Sequence, residues 1–253
     1  MMQDETRSSQ FFRNIALFQS VGIKIVLVHG GGPAVSEYLK STGRETSFHK
    51  GLRITKPEDM ADIEMVLSGK VNKSIVNNLQ KANLKAVGIS GKDASTLLCV
   101  KKEVAGVDLG QVGEIKEVNN DLITSLVESD FIPVVASIAI DKDGNTFNIN
   151  ADNAALELAT SLNARKLIYI SDVPGVLKNI EDSNSLFSIL SASEAKKLIS
   201  DKIIEGGMLP KVQCCVKAVE SGVSEVHLLD GRIENSVLLE IFTDKGVGTI
   251  FTL

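Results

Sequence analysis

The stretch Val26-Leu-Val-His-Gly-Gly-Gly-Pro33 decides how this chain is interpreted. The apolar run from Ile23 to Val28 predicts a buried strand of a parallel sheet covered on both faces. Three glycines end it, and Pro33 suits the first turn of a helix predicted over 34–42. A strand, a glycine turn and a helix N-terminus together direct N–H groups at an anion, usually a phosphate. An ordinary tight turn is the alternative, and a Walker A loop is excluded because no Gly-Lys-Ser/Thr follows.

The composition is that of an ordinary folded protein. The chain has 253 residues, 43% of them hydrophobic and 23% charged, and a net charge of −5. That charge argues against the basic surface patch of a nucleic-acid-binding protein. No apolar run approaches the roughly 20 residues that cross a bilayer, and no signal peptide is recognised. The cysteines Cys99, Cys214 and Cys215 lack metal or disulfide spacing. We therefore expect a cytoplasmic protein with ordinary thiols and no membrane or nucleic-acid partner.

Apolar strands alternate with amphipathic helices along the chain, which predicts an α/β fold around a mostly parallel sheet. Ligands of such sheets lie beyond the carboxyl ends of the strands, where the glycine turn, Asp172 and residues 148–152 fall. A soft lobe boundary is expected near Asn145. Strands are predicted at 23–28, 85–89, 96–102, 131–140, 166–170, 225–229 and 248–251. A loop or short hairpin is predicted at 45–54 and a type I′-like turn at 141–145. Helices are predicted at 8–21, 34–42, 58–67, 73–82, 121–128, 154–161, 193–199 (capped by Ser193), from the 206–211 turn to 221, and at 236–242.

A series of motifs from Gly22 onward resembles the amino-acid kinase family. The glycine turn and the Gly-Gly-Met…Lys pattern resemble the family in general, whereas Gly-Leu-Arg with Asn-x-Asn-Ala-Asp is similar to members that act on N-acetyl-L-glutamate. The motifs, in order, are Val28-His-Gly-Gly-Gly-Pro33, Gly51-Leu-Arg-Ile-Thr55, Ser68-Gly-Lys-Val-Asn-Lys73, Gly88-Ile-Ser-Gly-Lys-Asp93, Asp108-Leu-Gly-Gln-Val-Gly113, Asn148-Ile-Asn-Ala-Asp152, Ser171-Asp-Val-Pro-Gly-Val176, Gly206-Gly-Met-Leu-Pro-Lys211 and Gly248-Thr-Ile-Phe251.

The resemblance implies a single domain over 1–253, a three-layer α/β/α sandwich. Its approximate lobes would be 1–145, for substrate and dimerisation, and 146–253, for the nucleotide. The implied reaction is transfer of the γ-phosphoryl of ATP, with Mg²⁺, to the side-chain carboxylate of N-acetyl-L-glutamate, the second step of arginine biosynthesis. A homodimer or a dimer-based hexamer is implied, and regulation by arginine or by a PII-type protein is left open.

The resemblance also implies roles for individual residues. Lys211, near a helix N-terminus, would stabilise negative charge on the leaving side, Asp152 would orient it, and the N–H groups of the glycine turn would face the transferred phosphoryl. Arg53 would hold a substrate carboxylate in a bidentate fork, and Asn148 would offer an amide to the substrate. The implied catalytic residues are Lys211, Asp152 and Gly31; the substrate-binding residues are Gly31, Gly32, Arg53 and Asn148; the nucleotide-binding residues are Asp172, Val173, Gly175, Val176, Gly207, Met208 and Lys211, with no dedicated metal ligands.

Each of these residues also has a purely structural interpretation. Asp152 would cap the following helix, and Asp172 would begin a turn. Lys211 and Arg53 would be solvated surface residues. His29 follows a buried strand and is expected to be packed or bonded to the backbone rather than catalytic. Taken singly, several structural interpretations win, but the order of the motifs along one chain favours function.

The sequence departs from the family at its start. Members begin with a strand ending in Lys-x-Gly-Gly, which supplies a second catalytic lysine, and no such motif lies upstream of Gly22. We expect an incomplete N-terminus, because loss of an inner strand leaves buried groups unsatisfied at roughly 1–3 kcal/mol each. The chain as written is expected to fold poorly or to fill the gap, and to turn over very slowly. Rival hypotheses are a kinase for carbamate, aspartate or a nucleoside monophosphate, and a catalytically impaired ligand-binding homologue.

Overall fold

The computed structural model describes residues 5–179, 181–182, 185–243 and 246–253. They form two compact units. The glycine-turn unit comprises Phe18–Ala154, and the C-terminal unit comprises Ala155–Leu253 together with Met1–Leu17.

Helices and strands alternate through most of the described chain. The helices are α1 (Glu5–Ser20), α2 (Gly32–Ser41), α3 (Met60–Glu64), α4 (Asn72–Lys81), α5 (Asp121–Glu128), α6 (Ala151–Ser161), α7 (Ala192–Ser200), α8 (Met208–Glu220) and α9 (Ser236–Phe242). The strands are β1 (Leu27–His29), β2 (Phe48–His49), β3 (Leu52–Arg53), β4 (Ala86–Ser90), β5 (Leu97–Lys101), β6 (Gly113–Val118), β7 (Ile132–Ala136), β8 (Ile138–Ile140), β9 (Thr146–Asn148), β10 (Lys166–Ser171), β11 (Ile189–Ser191), β12 (Glu225–Asp230) and β13 (Thr249–Thr252).

In the glycine-turn unit, β7 lies between β1 and β4, and both pairings are parallel. The predicted buried strand over 23–28 is wrong in extent and in burial, because β1 covers only Leu27–His29, its residues are half-buried, and Ile23 is 36% exposed. In the described residues β1 pairs with β7 alone, so it forms an edge of this sheet and its outer flank lacks a covering strand.

The apolar run 131–140, predicted as one strand, forms two strands in two different sheets. β7 joins the parallel sheet, whereas β8 pairs with β5 and β9 in a four-stranded sheet that also contains β6. Ser137 separates them: its N–H donates to the carbonyl of His29, and its carbonyl accepts from the N–H of Ile149. The residues on both sides of Ser137 are apolar because both strands are largely buried, and this similarity hid the break.

Residues 57–81 form one helical run, not two helices with a break at Ser68-Gly69. A 3₁₀ turn (Pro57–Asp59) leads into α3, a π-helical segment (Met65–Val71) follows, and α4 continues directly from it. Residues 68–71, which were predicted to lie between the two helices, belong to the π-helical segment. Such segments are rare and occur frequently at functional sites.

The C-terminal unit contains a sheet of order β10-β12-β13-β11, in which only the β12–β13 pairing is antiparallel. A core built around Val212, Val226, Leu228 and Phe251 joins the sheet to α7 and α8. Together with the parallel sheet of the glycine-turn unit, this confirms the predicted α/β class with mostly parallel pairing.

Two local predictions of side-chain geometry need correction. Helix α7 is capped by Ser191 instead of Ser193, because Ser191 and Glu194 form a reciprocal capping box. The 141–145 turn is not type I′: only Gly144 has a positive φ in it, and the carboxylate of Asp141 accepts N–H groups at 143 and 145. In both cases a side chain that caps backbone N–H groups decided the local geometry.

No helix in the described part of the chain is long and apolar enough to span a membrane. Burial, and secondarily the charge of Asp141, raises the pKa of the Cys99 thiol to about 12. This thiol is therefore protonated and unreactive at neutral pH, as expected for a structural cysteine.

Glu240 is a buried carboxylate that ties α9 to β12. Its side chain is fully buried, His227 Nδ1 lies 2.9 Å from it, and the N–H groups of Val247 and Gly248 donate to it at 2.7 and 3.1 Å. Burial alone would raise the pKa of Glu240, but these hydrogen bonds and the field of His227 outweigh it and hold the pKa below 4.5. The carboxylate form is thus favoured by folding.

Replacing Glu240 with glutamine is expected to lower the free energy of unfolding at pH 7 by about 1.5–3 kcal/mol, the worth of hydrogen bonds to a charged group. Because the folded pKa is depressed, this stabilisation is present above pH 4.5 and is lost as the pH falls through the folded pKa. Urea unfolding at several pH values should therefore show the two proteins converging below pH 4.5. Glu220→Gln, which removes a surface ion pair with Lys196, is the control and should cost at most about 1 kcal/mol. A difference independent of pH would contradict this account.

Candidate active site

The glycine turn joins β1 to α2 and forms one wall of a cleft of about 260 Å³. We call it the glycine-turn cleft; every lining residue belongs to the glycine-turn unit. They include Gly30, Gly31, Gly32, Phe48, Arg53, Leu67, Ser137, Asn148 and Asp152. α2 begins at Gly32 with a proline in its first turn, so its first N–H groups have no intrahelical acceptor. Within the described residues, no backbone carbonyl accepts from the N–H groups of the three glycines.

Glycine is required at this turn by close contacts. A Cβ at Gly31 would lie 2.7 Å from Leu67 Cδ2 and 3.2 Å from Val71 Cγ2, both on the π-helical segment. A Cβ at Gly30 would lie 3.2 Å from the Cβ of Ala151, whereas nothing lies within 4 Å of one at Gly32. The first two glycines therefore let helices approach the turn, and the third faces open space.

Gly31→Ala is expected to lower the free energy of unfolding by about 1–3 kcal/mol, because the added methyl overpacks the contact with Leu67. Gly32→Ala is the matched control and should change stability by less than half as much. Chemical denaturation measures both, and the cost of Gly31→Ala should be smaller in a Leu67→Ala background than in the native chain. Equal effects of the two glycine substitutions would contradict the steric explanation.

Arg53 is not a surface residue: it is 7% exposed, and its guanidinium lies 4.7 Å from the centre of the Phe48 ring. Its Nη2 donates to the carbonyl of Gly32 at 2.8 Å and to Ser36 Oγ at 2.7 Å. Its Nη1 is buried and has no hydrogen-bond partner in the described residues. Burial lowers the pKa of Arg53, and the charge of Asp59 offsets this only in part. A fixed, desolvated guanidinium with one unused donor is suited to an anionic ligand.

Asn148 and Asp152 reach the same cleft from β9 and α6. Asn148 donates from Nδ2 to Thr55 Oγ1 at 3.1 Å. Asp152 lies in the first turn of α6, but the cap is Asn150, whose Oδ1 accepts from the N–H of Asn153 at 3.0 Å. The structural interpretation of Asp152 as the helix cap is therefore wrong. The cleft thus unites Gly31, Gly32 and the three side chains predicted for catalysis or substrate binding in this unit.

His29 is bonded to the backbone, as predicted, and lies beside the cleft, outside its lining. Its Nδ1 is 2.8 Å from the carbonyl oxygen of Gly30, and its Nε2 is 3.0 Å from Asn72 Nδ2. Burial lowers the pKa of His29, the bond to Gly30 works against this, and the charge of Lys73 lowers the pKa further. The ring is therefore neutral at physiological pH.

The remaining predicted residues lie in the C-terminal unit. Asp172 is exposed and follows β10, whose last residue, Ser171, pairs with Asp230 at the end of β12. Arg232 Nη2 donates to the carboxylate of Asp230 at 2.8 Å. Gly175 has φ +134°, and a Cβ there would lie 2.6 Å from Thr249 Oγ1. Val173 and Met208, two further members of this predicted set, are half-buried.

Val176 is buried in the core, and its N–H donates to Thr249 Oγ1 at 2.9 Å. Gly207 is the exposed N-cap residue of α8. Lys211 is the fourth residue of α8, so the predicted position near a helix N-terminus is confirmed. Both backbone groups of Val176 are paired within the fold, because its carbonyl also accepts from the N–H of Phe187 at 2.9 Å. The nucleotide-binding roles of these residues stay predictions.

Sequence reasoning missed two kinds of residue at the site. Phe48 and Ser36 fix the guanidinium of Arg53 from a hairpin and from α2, and no motif marks them. Asn72 is fully buried, which is exceptional for an asparagine, and it lies in a motif that was quoted without a role. The available signal was a polar residue three positions after Gly69, where the helical pattern resumes.

The sequence matches the profile of the Amino acid kinase family over residues 1–230. It is 49% identical over 249 residues to the acetylglutamate kinase of Petrotoga mobilis, covering 98% of this chain and 83% of that protein. It is 47% identical to the acetylglutamate kinase of Caldanaerobacter subterraneus subsp. tengcongensis, with the same coverage. Among solved structures, smu.665 from Streptococcus mutans UA159 aligns with a TM-score of 0.81 at 27% identity, over 95% of this chain and 91% of that one.

A strand, a glycine turn and a helix N-terminus beside a buried arginine describe an α/β protein with a cleft whose groups suit a small anion. The chain belongs to the amino acid kinase family. Family membership makes it a kinase and implies ATP as a substrate, which confirms the class predicted from the motifs. The roles of the individual site residues stay predictions.

Proposed function

We propose that this chain phosphorylates the side-chain carboxylate of N-acetyl-L-glutamate with ATP, a step of arginine biosynthesis. The observation that carries the proposal is the unused, buried Nη1 of Arg53 in the glycine-turn cleft. Relatives named acetylglutamate kinase, 47% and 49% identical over nearly the whole chain, support this substrate over carbamate, aspartate or a nucleoside monophosphate.

The substrate has groups that suit the cleft. Its α-carboxylate would accept from Arg53 Nη1, and Asn148 would bind beside it, while the side-chain carboxylate would lie near the glycine turn. A cleft of about 260 Å³ suits a small metabolite better than a large ligand. The stacked Phe48 ring and the bonds to Gly32 and Ser36 hold the guanidinium in place before the substrate arrives.

The reaction requires positioning and charge stabilisation rather than covalent help from the protein. A carboxylate oxygen attacks the γ-phosphorus of ATP, the bond from this phosphorus to the β–γ bridging oxygen breaks, and an acyl phosphate and ADP are formed. The N–H groups of the glycine turn would stabilise the transferred phosphoryl, and Lys211 the negative charge on the leaving side. Asp152 would orient Lys211. The segment from Asp172 to Val176, together with Gly207 and Met208, would contact the nucleotide.

Mg²⁺ would enter with ATP. No group of three or more His, Cys, Asp or Glu side chains able to hold a metal is found in the described residues. We propose that the phosphates supply most of its ligands, because Mg²⁺ commonly uses substrate phosphates and water. Bound there, the ion would neutralise part of the phosphate charge.

Four further points stay proposals based on the sequence resemblance. They are the assignment of substrate and nucleotide to separate lobes, a homodimer or dimer-based hexamer, a cytoplasmic location, and control by arginine or a PII-type protein. Light scattering with mass analysis tests the oligomer. Adding arginine to the kinase assay tests feedback, and an unchanged rate up to millimolar arginine would remove that regulator.

The decisive experiment measures phosphoryl transfer from Mg·ATP, with the acyl phosphate trapped by hydroxylamine. It should be run on this chain and on a version preceded by a strand ending in Lys-x-Gly-Gly, with carbamate and aspartate as competing substrates. Transfer to acetylglutamate in either version, and at least about tenfold preference over the other acids, is expected. Binding of acetylglutamate without transfer in both versions would favour the ligand-binding rival.

A further inference from the structure

A single buried side chain links all three strands of the parallel sheet in the glycine-turn unit. Asn72, the first residue of α4, is 0% exposed, and its Nδ2 lies 2.8 Å from the carbonyl of Val134, 3.3 Å from that of Ile89, and 3.0 Å from His29 Nε2. Its Oδ1 accepts from Lys73 Nζ at 3.2 Å. Two carbonyls on one side and an ammonium on the other fit only this orientation of the amide.

The surroundings of His29 select one tautomer of its ring. Asn72 Nδ2 can only donate, and its two N–H groups serve the two nearest acceptors, the carbonyl of Val134 at 2.8 Å and His29 Nε2 at 3.0 Å, so His29 Nε2 must be the acceptor. The carbonyl of Gly30 can only accept, so Nδ1 must carry the proton. If the proton were on Nε2, the Nε2–H donor would face the Nδ2–H donor of Asn72, and the bare Nδ1 would face the carbonyl oxygen of Gly30, which is also an acceptor. The amide of Asn72 therefore fixes which ring nitrogen donates.

The bond from His29 determines the direction of a peptide group in the glycine turn. In a planar trans peptide, the C=O of Gly30 and the N–H of Gly31 point in opposite directions. The carbonyl is held towards the His29 ring, which does not line the cleft, whereas Gly31 does. The N–H of Gly31 is accordingly directed away from the ring and towards the open side of the turn.

Packing on both sides keeps this arrangement in place. A Cβ at Gly88 of β4 would lie 1.9 Å from Asn72 Oδ1 and 2.7 Å from Lys73 Nζ, so only glycine leaves room for the amide. On the other side, Leu67 of the π-helical segment, which leads directly into Asn72, contacts the turn at Gly31. The same helical run thus contacts the turn twice, once by packing and once through the amide and the ring.

We propose that Asn72 and His29 are positioning residues for phosphoryl transfer, which hold the N–H of Gly31 towards the anion in the cleft. The proposal rests on the proposed kinase function for its reaction, but the geometry on which it depends is independent of the substrate. Neither residue lines the glycine-turn cleft. Their removal should therefore lower kcat and leave KM for acetylglutamate nearly unchanged, because Arg53 is untouched.

Two substitutions of His29 separate its two hydrogen bonds, the one to the carbonyl of Gly30 and the one from the amide of Asn72. His29→Asn retains a donor at the δ position for the Gly30 carbonyl and loses the contact with Asn72. His29→Gln retains an acceptor at the ε position for Asn72 and loses the bond to Gly30. Asn72→Asp is nearly isosteric, and its carboxylate favours the tautomer with the proton on Nε2.

The kinetics should be measured in the version of the chain that turns over, with thermal unfolding of every variant. We expect His29→Gln and Asn72→Asp to lower kcat about 10- to 100-fold, part of the 10²- to 10³-fold effect of losing one oxyanion-hole donor. KM should change less than about threefold, and His29→Asn should retain kcat within about threefold. If kcat instead follows thermal stability across the variants, or if His29→Gln is as active as His29→Asn, the proposal is wrong.

Ring ¹⁵N chemical shifts of His29 supply a measurement that needs no turnover. They should show a protonated Nδ1 in the native chain and a protonated Nε2 in Asn72→Asp. The amide signal of Gly31 should respond to inorganic phosphate in the native chain, and less in His29→Gln. A native ring protonated on Nε2 overturns the proposal whether or not the chain is active. Absence of acetylglutamate phosphorylation with the expected shifts would count against the kinase function alone.

Discussion

Replacing Arg53 with lysine is expected to raise KM for acetylglutamate about 10- to 100-fold, with a smaller change in kcat. A hydrogen bond to a charged group is worth about 1.5–3 kcal/mol, and lysine cannot reproduce a guanidinium that binds Gly32 and Ser36 with one nitrogen and a ligand with the other. Steady-state kinetics with acetylglutamate as the varied substrate measure the effect. The buried stem of lysine retains most of the packing, so loss of the protein fold is not the expected cause.

Arg44→Lys is the matched control for this substitution. Arg44 belongs to the same unit, and its guanidinium binds Asp59 at 3.0 Å and Asp62 at 2.5 Å, but it does not line the cleft. We expect its KM to change less than about twofold. If both substitutions weaken acetylglutamate binding equally, the cleft is not the acetylglutamate site.

Replacing Lys211 with methionine is expected to lower kcat about 100- to 1,000-fold, the range found when a preorganised group that stabilises transition-state charge is removed. Methionine keeps the apolar stem, so the change removes mainly the charge. KM for ATP should rise much less than kcat falls, because the charge that Lys211 stabilises develops in the transition state. Initial rates with both substrates varied separate the two constants.

Lys217→Met on the same helix is the control for Lys211. Lys217 forms an ion pair with Glu157 at 2.7 Å, and its side chain is 62% exposed. Surface pairs of this kind contribute little, so kcat should stay within about twofold. A loss of kcat at Lys217 as large as that at Lys211 would show that α8 responds to any lost lysine, and the catalytic role would be withdrawn.

Local patterns were enough for much of the fold. α5 was predicted over its observed range because its apolar residues follow one helical face, and the turn before α2 was predicted from glycines and Pro33. The break at Ser137 and the π-helical segment were not predicted, because both depend on partners far away in sequence. Ser137 bonds to His29 and Ile149, and the π-helical segment packs against Gly31.

The site was predicted to a similar degree and for similar reasons. Residues of the motifs were identified, and Arg53, Asn148 and Asp152 do meet in one cleft with the glycine turn. The environment of each was not predictable: the unused donor of Arg53 depends on Phe48 and Ser36, neither of which has a recognisable pattern. Burial and hydrogen-bond partners belong to the folded chain, and they decide whether a motif residue is functional.

The π-helical segment also constrains which changes in chain length this region tolerates. A π-turn holds one residue more than the α-turn it replaces, so deletion of one residue within Met65–Val71 would let the helix relax to ordinary α geometry. That deletion would improve the helix taken alone and would leave α3 and α4 in the same relative orientation, yet it would shift the residues inside the segment and displace Leu67 and Val71 from the glycine turn at Gly31. Lineages that retain the activity should therefore keep the length of this segment even where its residues change.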